Sequence, residues 1–331
     1  MKPLVTLLLQ YGLLLPLFLS GCSSEKDNAV ASFEHAVDSS YSATLSRDGS
    51  YAVVSSIHHG LSLWDLKTNG LKYQWSHQGS ANNLVLVSAI SANNSHALTA
   101  DRDNFALWDI ATGKSVAFVK VRESNIRDVA VSNDGQHILI GKSNGVVVHI
   151  TTATGRRIEF MGHQEKVNSV AMSDNGRYAL SGSNDYVAYL WDTQSGQVVH
   201  RFNHPSRVTK VALDPTRRYA FTADSQKQAQ VWDLSNGKPV SRLKYTARQN
   251  VFSAVRFNND GTLLATGAPS RKLTLWDVKT GKKLQDWTVA PREQSRPKGA
   301  VVHSVAFIKN DTQLLTESSS GLAEIWTIQK E

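Results

Sequence analysis

Short runs of apolar and β-branched residues alternate with polar turn clusters along most of the chain. One stretch shows the unit in full: residues 161–192 read MGHQEKVNSVAMSDNGRYALSGSNDYVAYLWD. Apolar runs at 167–172, 178–182 and 187–191 are separated by Asp174-Asn175-Gly176 and by Asn184-Asp185. Turn residues of this kind between β-branched runs predict antiparallel strands joined by tight hairpins.

The unit recurs. Trp-Asp closes it at Trp64-Asp65, Trp108-Asp109, Trp191-Asp192, Trp232-Asp233 and Trp276-Asp277, and degenerate copies end at His149-Ile150 and Trp326-Thr327. Successive endings lie 44, 41, 42, 41, 44 and 50 residues apart. A period of about 40–45 residues with Trp-Asp endings is the signature of a four-stranded propeller blade. Over about residues 29–331 the sequence resembles the WD-repeat family. The resemblance implies an all-β fold: a seven-bladed WD-repeat β-propeller with four antiparallel strands per blade.

The first strand of each copy carries a compact triplet such as Val129-Ala130-Val131, Val170-Ala171-Met172 or Val255-Arg256-Phe257. Small residues suit strands that crowd a common axis. Turn pairs follow, among them Asp48-Gly49, Asp134-Gly135 and Asp260-Gly261. Such residues accept positive φ or bond their own backbone, so they specify hairpins. The last copy stops at Trp326-Thr327-Ile328, with no room for an outer strand of its own. Residues 30–34, within AVASFEH, resemble an outer strand and are expected to supply it. Pairing the two ends of the chain would close the ring and cover an open edge.

A length of 331 residues suggests two domains, but stacked repeats override that prior. The formal charge of +8 is spread, and no block of like charges resembles a nucleic-acid arm. It reads as a solubility charge over a large surface. Cys22 is the one cysteine, so no intramolecular disulfide can form.

The residues before Cys22 change the picture. MKPLVTLLLQYGLLLPLFLS has one basic residue, Lys2, ahead of a mostly apolar run that ends in small residues. This is the pattern of a signal peptide over 1–21. Gln10, Tyr11, Gly12 and Pro16 interrupt the run, which disfavours a membrane-spanning reading. Leu19-Ser20-Gly21-Cys22 resembles the bacterial lipoprotein box. The resemblance implies cleavage between Gly21 and Cys22, lipid on Cys22, and a polar tether over 22–28. Ser23, rather than aspartate, follows the cysteine, which implies the outer membrane. Several acyl chains give stable anchoring, each buried CH₂ contributing about 0.8 kcal/mol.

The WD resemblance also bears on the polar residues. His163, Ser181, Asp185 and Trp191 match the family's structural tetrad, a hydrogen-bonded chain that ties loop to strands. They are expected to be structural rather than catalytic. His77, Thr99, Asp103 and Trp108 are expected to repeat the set, His204, Thr222 and Trp232 to repeat it with Gln226 for the aspartate, and His149 to replace the tryptophan in blade three. Ser270 and Ser320 take the aspartate position in blades six and seven, which should be less rigid. His58-His59 reads as a loop pair, since no further metal ligands are apparent. No metal or cofactor is expected.

The candidate partner-binding surface is the face formed by interblade loops and by turns between second and third strands. Its candidate residues are Arg102, Arg122, Lys166, Arg207, Arg271, Arg292, Arg296 and Lys298, with Lys227 and Arg248 nearby. The loop 290–299, APREQSRPKG, produces the 50-residue spacing, and insertions in a repeat array often map to the binding face. The expected function is a non-enzymatic, membrane-anchored interaction platform in the bacterial envelope, scaffolding periplasmic or outer-membrane proteins as a monomeric propeller. The alternatives are a quinoprotein-like or other propeller enzyme, or a propeller that binds a small ligand. The enzyme reading is weak: Asp277 to Gly281 begins the quinoprotein pattern, but Trp287 falls two positions late, and no nucleophile elbow or phosphate loop is found.

Overall fold

A computed structural model describes residues 29–77, 84–226, 228–245, 251–292 and 298–329. Among the described residues the chain forms twenty-eight strands in seven four-stranded antiparallel sheets, and no helix. Residues 1–28, with the expected signal peptide, Cys22 and the expected tether, lie outside the described residues.

Each sheet is a blade, and in six of the seven the strands run in chain order from the axis outward. The inner strands of blades one to seven are Ser40–Leu45, Val87–Ile90, Ile126–Val131, Val167–Met172, Val208–Leu213, Ala254–Phe257 and Val302–Ile308. Each packs beside the next, and the seventh packs on the first, so the ring is closed. The outer strand of blade seven is Ala31–Glu34, paired antiparallel with Leu322–Thr327 in the register Ala31↔Ile325 to Glu34↔Leu322. The chain's own beginning therefore covers the edge of its last blade. Between blades the core is apolar: Phe160, Val167, Val170 and Trp191, for example, pack where blades three and four meet.

The Trp-Asp dipeptide has a local mechanical reason. In all five blades that carry it, the pairing of third and fourth strands slips by one residue at the tryptophan. The following aspartate accepts backbone N–H groups of the next turn: Asp109 Oδ1 from Thr112 at 2.7 Å, Asp192 Oδ1 from Gln194 at 2.8 Å. Four of these turns then place glycine in the left-handed region, Gly113, Gly196, Gly237 and Gly281, at φ 65–73°. A bulge re-aims the side chain it carries, and the aspartate holds the turn that requires it.

Register corrects one expectation. Ile150, opposite Ile138, occupies the position that Trp191 holds opposite Ala179, and Thr151 takes the aspartate position. His149 corresponds to Leu190 instead. Blade three therefore lacks its tryptophan, but isoleucine replaces it, and the bulge is absent there.

On one face the turns after the inner strands are joined around the axis. Asn94 Nδ2 donates to Asp48 at 2.9 Å, Asn93 N to Asn133 O at 3.2 Å, and Asn133 N to Asp174 O at 2.8 Å. Arg218 donates to Asp260 O, and Asn258 Nδ2 donates to Asp311 at 2.9 Å. The opposite face carries the interblade loops.

Candidate functional site

His163, Ser181 and Asp185 come together in blade four. His163 Nδ1 lies 2.9 Å from Asp185 Oδ2, and Nε2 lies 2.9 Å from Ser181 Oγ. With its Nδ1–H directed at the carboxylate, the ring accepts from the serine hydroxyl through Nε2. Gln164 N donates to the same carboxylate oxygen at 3.1 Å. Burial alone would raise the Asp185 carboxyl, but bonds from His163 and the backbone outweigh it and hold it below the usual carboxylate range. The histidine ring is buried, so the arrangement ties a loop to a strand and offers no open nucleophile. Trp191 is buried against Phe160, with ring centroids 4.7 Å apart and planes at 5°. Its Nε1 has no hydrogen-bond partner.

The other blades vary this set. Trp108, Trp232, Trp276 and Trp326 donate to Thr99, Thr222, Thr266 and Thr316 at 2.7–3.0 Å. In blade two Asp101, not Asp103, faces His77 at 3.2 Å. In blade five Asp224, not Gln226, faces His204 at 3.5 Å. Both aspartates stand at the register position of Ser183, two residues before that of Asp185. Counting from the turn misses them, because the carboxylate sits at the strand end. Ser270 makes an isolated bridge with Ala300, and Ser320 bonds Ser318 at 2.6 Å. His58 pairs with Asp38. Among the described residues no group of three or more His, Cys, Asp or Glu is placed to hold a metal ion.

The face with the interblade loops is fixed by its own main chain. Ile126 N donates to Arg102 O at 2.7 Å, Asn184 N to Lys166 O at 3.0 Å, and Ser225 N to Arg207 O at 2.9 Å. The side chains of Arg102, Arg122, Lys166 and Arg207 are exposed. Arg271 is half-buried and donates Nε to Val289 O at 2.8 Å. Arg292 is half-buried and reaches Glu34 at 3.2 Å. Lys298 is exposed, whereas Lys227, Arg248 and Arg296 lie outside the described residues. Four exposed cations thus stand on anchored loops of blades two to five, while Arg271 and Arg292 are engaged within the fold.

At the edge of the long loop, both carboxylate oxygens of Glu324 lie 3.1–3.2 Å from Ala290 N. Burial pushes this carboxyl up to about 7, against the opposing pull of the Ala290 N–H and the Arg271 charge.

The axial channel is open to solvent and has a cavity volume of about 260 Å³. Two rings of equivalent inner-strand positions surround it, and most of their residues line it. One ring is Thr44, Ala89, Ala130, Ala171, Ala212, Arg256 and Ala306, so an arginine stands where five blades have alanine. Arg256 Nε donates to Val305 O at 2.7 Å and Nη2 to Leu45 O at 3.0 Å, bridging to blades seven and one. In the other ring Ser169, Asp128 and Ser304 accept N–H groups from neighbouring inner strands, at Val211, Val170 and Leu45. Lys210 holds the same register position in blade five, but its side chain makes no hydrogen bond or ion pair among the described residues. Aligning the seven inner strands by register would have marked both cations; reading the triplets one by one did not.

No curated protein matches the chain. The family described as "WD domain, G-beta repeat" matches residues 155–192, 196–233 and 237–277. Each matched segment combines the outer strand of one blade with three strands of the next, ending at Asp192, Asp233 or Asp277. That offset by one strand is what the closing pair repeats at the ends of the chain. The chain is thus a closed ring of seven four-stranded blades, a β-propeller in which three segments match WD repeats.

Proposed function

We propose that this propeller is a non-enzymatic protein-interaction platform of the bacterial envelope. A WD-repeat propeller fits an interaction platform in general. The finer reading is that lipid on Cys22 holds it to a membrane, Ser23 directs it to the periplasmic face of the outer membrane, and the disc scaffolds an envelope complex there. The sequence Leu19-Ser20-Gly21-Cys22 supports the anchor.

The observation that carries the platform reading is the set of exposed cations on main-chain-anchored loops. Arg102, Arg122, Lys166 and Arg207 belong to four successive blades, and loops held in place lose little entropy when a partner docks. A partner with an acidic surface fits them, since charge complementarity speeds encounter and fixes register.

The test is affinity capture of the full chain from cross-linked, detergent-solubilised envelopes, beside a variant with these four residues changed to Glu. A discrete envelope partner captured by the native chain and lost in the variant is expected. Equal capture by both would remove this face from the proposal, and capture of nothing would remove the platform. Separately, Cys22→Ser should abolish lipid labelling and release the protein from membranes. An unchanged membrane fraction would overturn the anchor.

A further inference from the structure

We propose that the axial channel is a binding site for a compact, multiply charged anion bearing phosphate or carboxylate groups, held by Lys210 and Arg256. The inference does not depend on the docking face.

The charge balance of the channel wall carries it. The ionisable side chains lining it are Arg47, Asp128, Lys210, Arg256 and His303. Arg47 is engaged by Asp174. Asp128 accepts backbone N–H groups of Val170 at 2.9 Å and Val129 at 3.0 Å, which turn both its oxygens to the wall and leave it one negative charge against two cations. His303 Nε2 contacts Ser40 O at 3.2 Å. Lys210 and Arg256 remain. Arg256 is held by two neutral carbonyls through Nε and Nη2, and no carboxylate contacts its guanidinium among the described residues. Burial and the nearby Arg47 charge push its pKa down to about 10, yet it stays protonated at neutral pH. The Arg47 charge opposes it more than the Asp48 charge favours it, and a confined cation so placed attracts an anion.

Position adds selectivity. Lys210 and Arg256 sit on adjoining inner strands, Val208–Leu213 and Ala254–Phe257. The alanines at 130, 171 and 212 keep the neighbouring wall free of bulk. The N–H groups that Arg256 has left beyond those two carbonyls, with the ammonium of Lys210, suit an anion with two or more charged oxygens. One mouth is crossed by the Arg47–Asp174 pair, so access is from the loop face, where Lys166 and Arg207 are exposed ahead of the inner strands of blades four and five.

The experiment is calorimetric titration of the detergent-solubilised full chain with pyrophosphate and, separately, with citrate at low ionic strength. One site per chain for at least one anion is expected, and the anion that binds identifies the phosphate or carboxylate class. Affinity should fall tenfold or more in Lys210→Met and Arg256→Gln, and stay unchanged in Lys67→Gln, an exposed turn control. Lys210→Met decides alone if Arg256→Gln does not fold. No binding of either anion would overturn the proposal. So would several weak sites that fall equally in Lys67→Gln, or full affinity in a folded Lys210→Met.

Discussion

Arg47 forks onto the carboxylate of Asp174, Nη1 to Oδ2 at 2.8 Å and Nη2 to Oδ1 at 2.6 Å, although the two residues lie 127 apart in sequence and belong to blades one and four. A seven-bladed ring is closed along its circumference by strand pairing. This pair braces it across the axis, because blades one and four have two blades between them on one side and three on the other. The side chains are 30% and 34% exposed, so water screens the pair. A double-mutant cycle with Arg47→Gln and Asp174→Asn should give a coupling of about 0.5–1 kcal/mol in denaturant unfolding, shrinking as salt is raised. Zero coupling at low salt would mean that the two residues touch without bracing the ring.

Ring closure itself depends on a buried pair. His35 follows the closing strand, and its Nδ1 lies 2.6 Å from Glu317 Oε1, with both side chains fully buried. Its Nε2 reaches Asn69 at 2.9 Å, and its ring stacks on Trp64 at 4.6 Å. One imidazole therefore joins the closing strand, blade seven and blade one. Burial would lower the His35 pKa, but the hydrogen bond and charge of Glu317 raise it above the ordinary value. The folded state thus holds this proton more tightly than the unfolded chain does. The contribution is full below the unfolded pKa, about 6.5, and is lost as pH rises through the raised folded value. Glu317→Gln should cost about 3–5 kcal/mol at neutral pH and should flatten the decline of stability above neutrality. If melting curves of native and variant keep the same alkaline slope, the pair does not titrate as described.

Glu324 gives a pH dependence in a different window. Its folded pKa, about 7, lies above the unfolded value, so the native state binds the proton more tightly between about 4.5 and 7. Stability should fall as pH rises across that window and level off above it, the full loss being roughly 3 kcal/mol. Glu324→Gln keeps an oxygen for Ala290 N–H and removes the ionisation, so it should be more stable than the native chain at pH above about 7. A native-like slope in the variant between pH 4.5 and 7 would assign the titration to another group.

These features differ in how far the sequence reveals them. Blade number, strand order and the closing strand follow from spacing, because every blade repeats the same turn chemistry. Local register does not: Ile150 stands in the tryptophan position although His149 fits the spacing as well, and only the pairing Ile138↔Ile150 decides it. Asp101 and Asp224 were missed because a carboxylate at a strand end can reach the same histidine as one in the turn. Arg47–Asp174, Lys210 and Arg256 were hidden for a different reason. Arg47 and Asp174 meet across the axis, and Lys210 and Arg256 stand on adjoining inner strands, so only the alignment of strands remote in sequence marks them. Of the loop cations, exposure separates Arg102, Arg122, Lys166 and Arg207 from Arg271 and Arg292, whose partners lie in other strands.

The tryptophans make the last distinction measurable. Trp191 and Trp276 are both almost wholly buried in equivalent positions. Trp276 Nε1 donates to Thr266 Oγ1 at 2.8 Å, whereas Trp191 Nε1 donates to nothing, although Thr99 and Thr222 each serve a histidine and a tryptophan at once. Trp191→Ala should cost about 3–5 kcal/mol through the cavity it leaves. Replacement by Phe separates size from hydrogen bonding. Trp191→Phe loses ring area alone and removes an unpaired donor. Trp276→Phe loses the same area and strands the Thr266 hydroxyl, which adds about 1–3 kcal/mol. Unfolding by denaturant should therefore rank Trp276→Phe as the less stable of the two by about 1 kcal/mol or more. The reverse order would show that Trp191 has a hydrogen-bond partner in solution and that the serine in blade four serves it as the threonines serve the others.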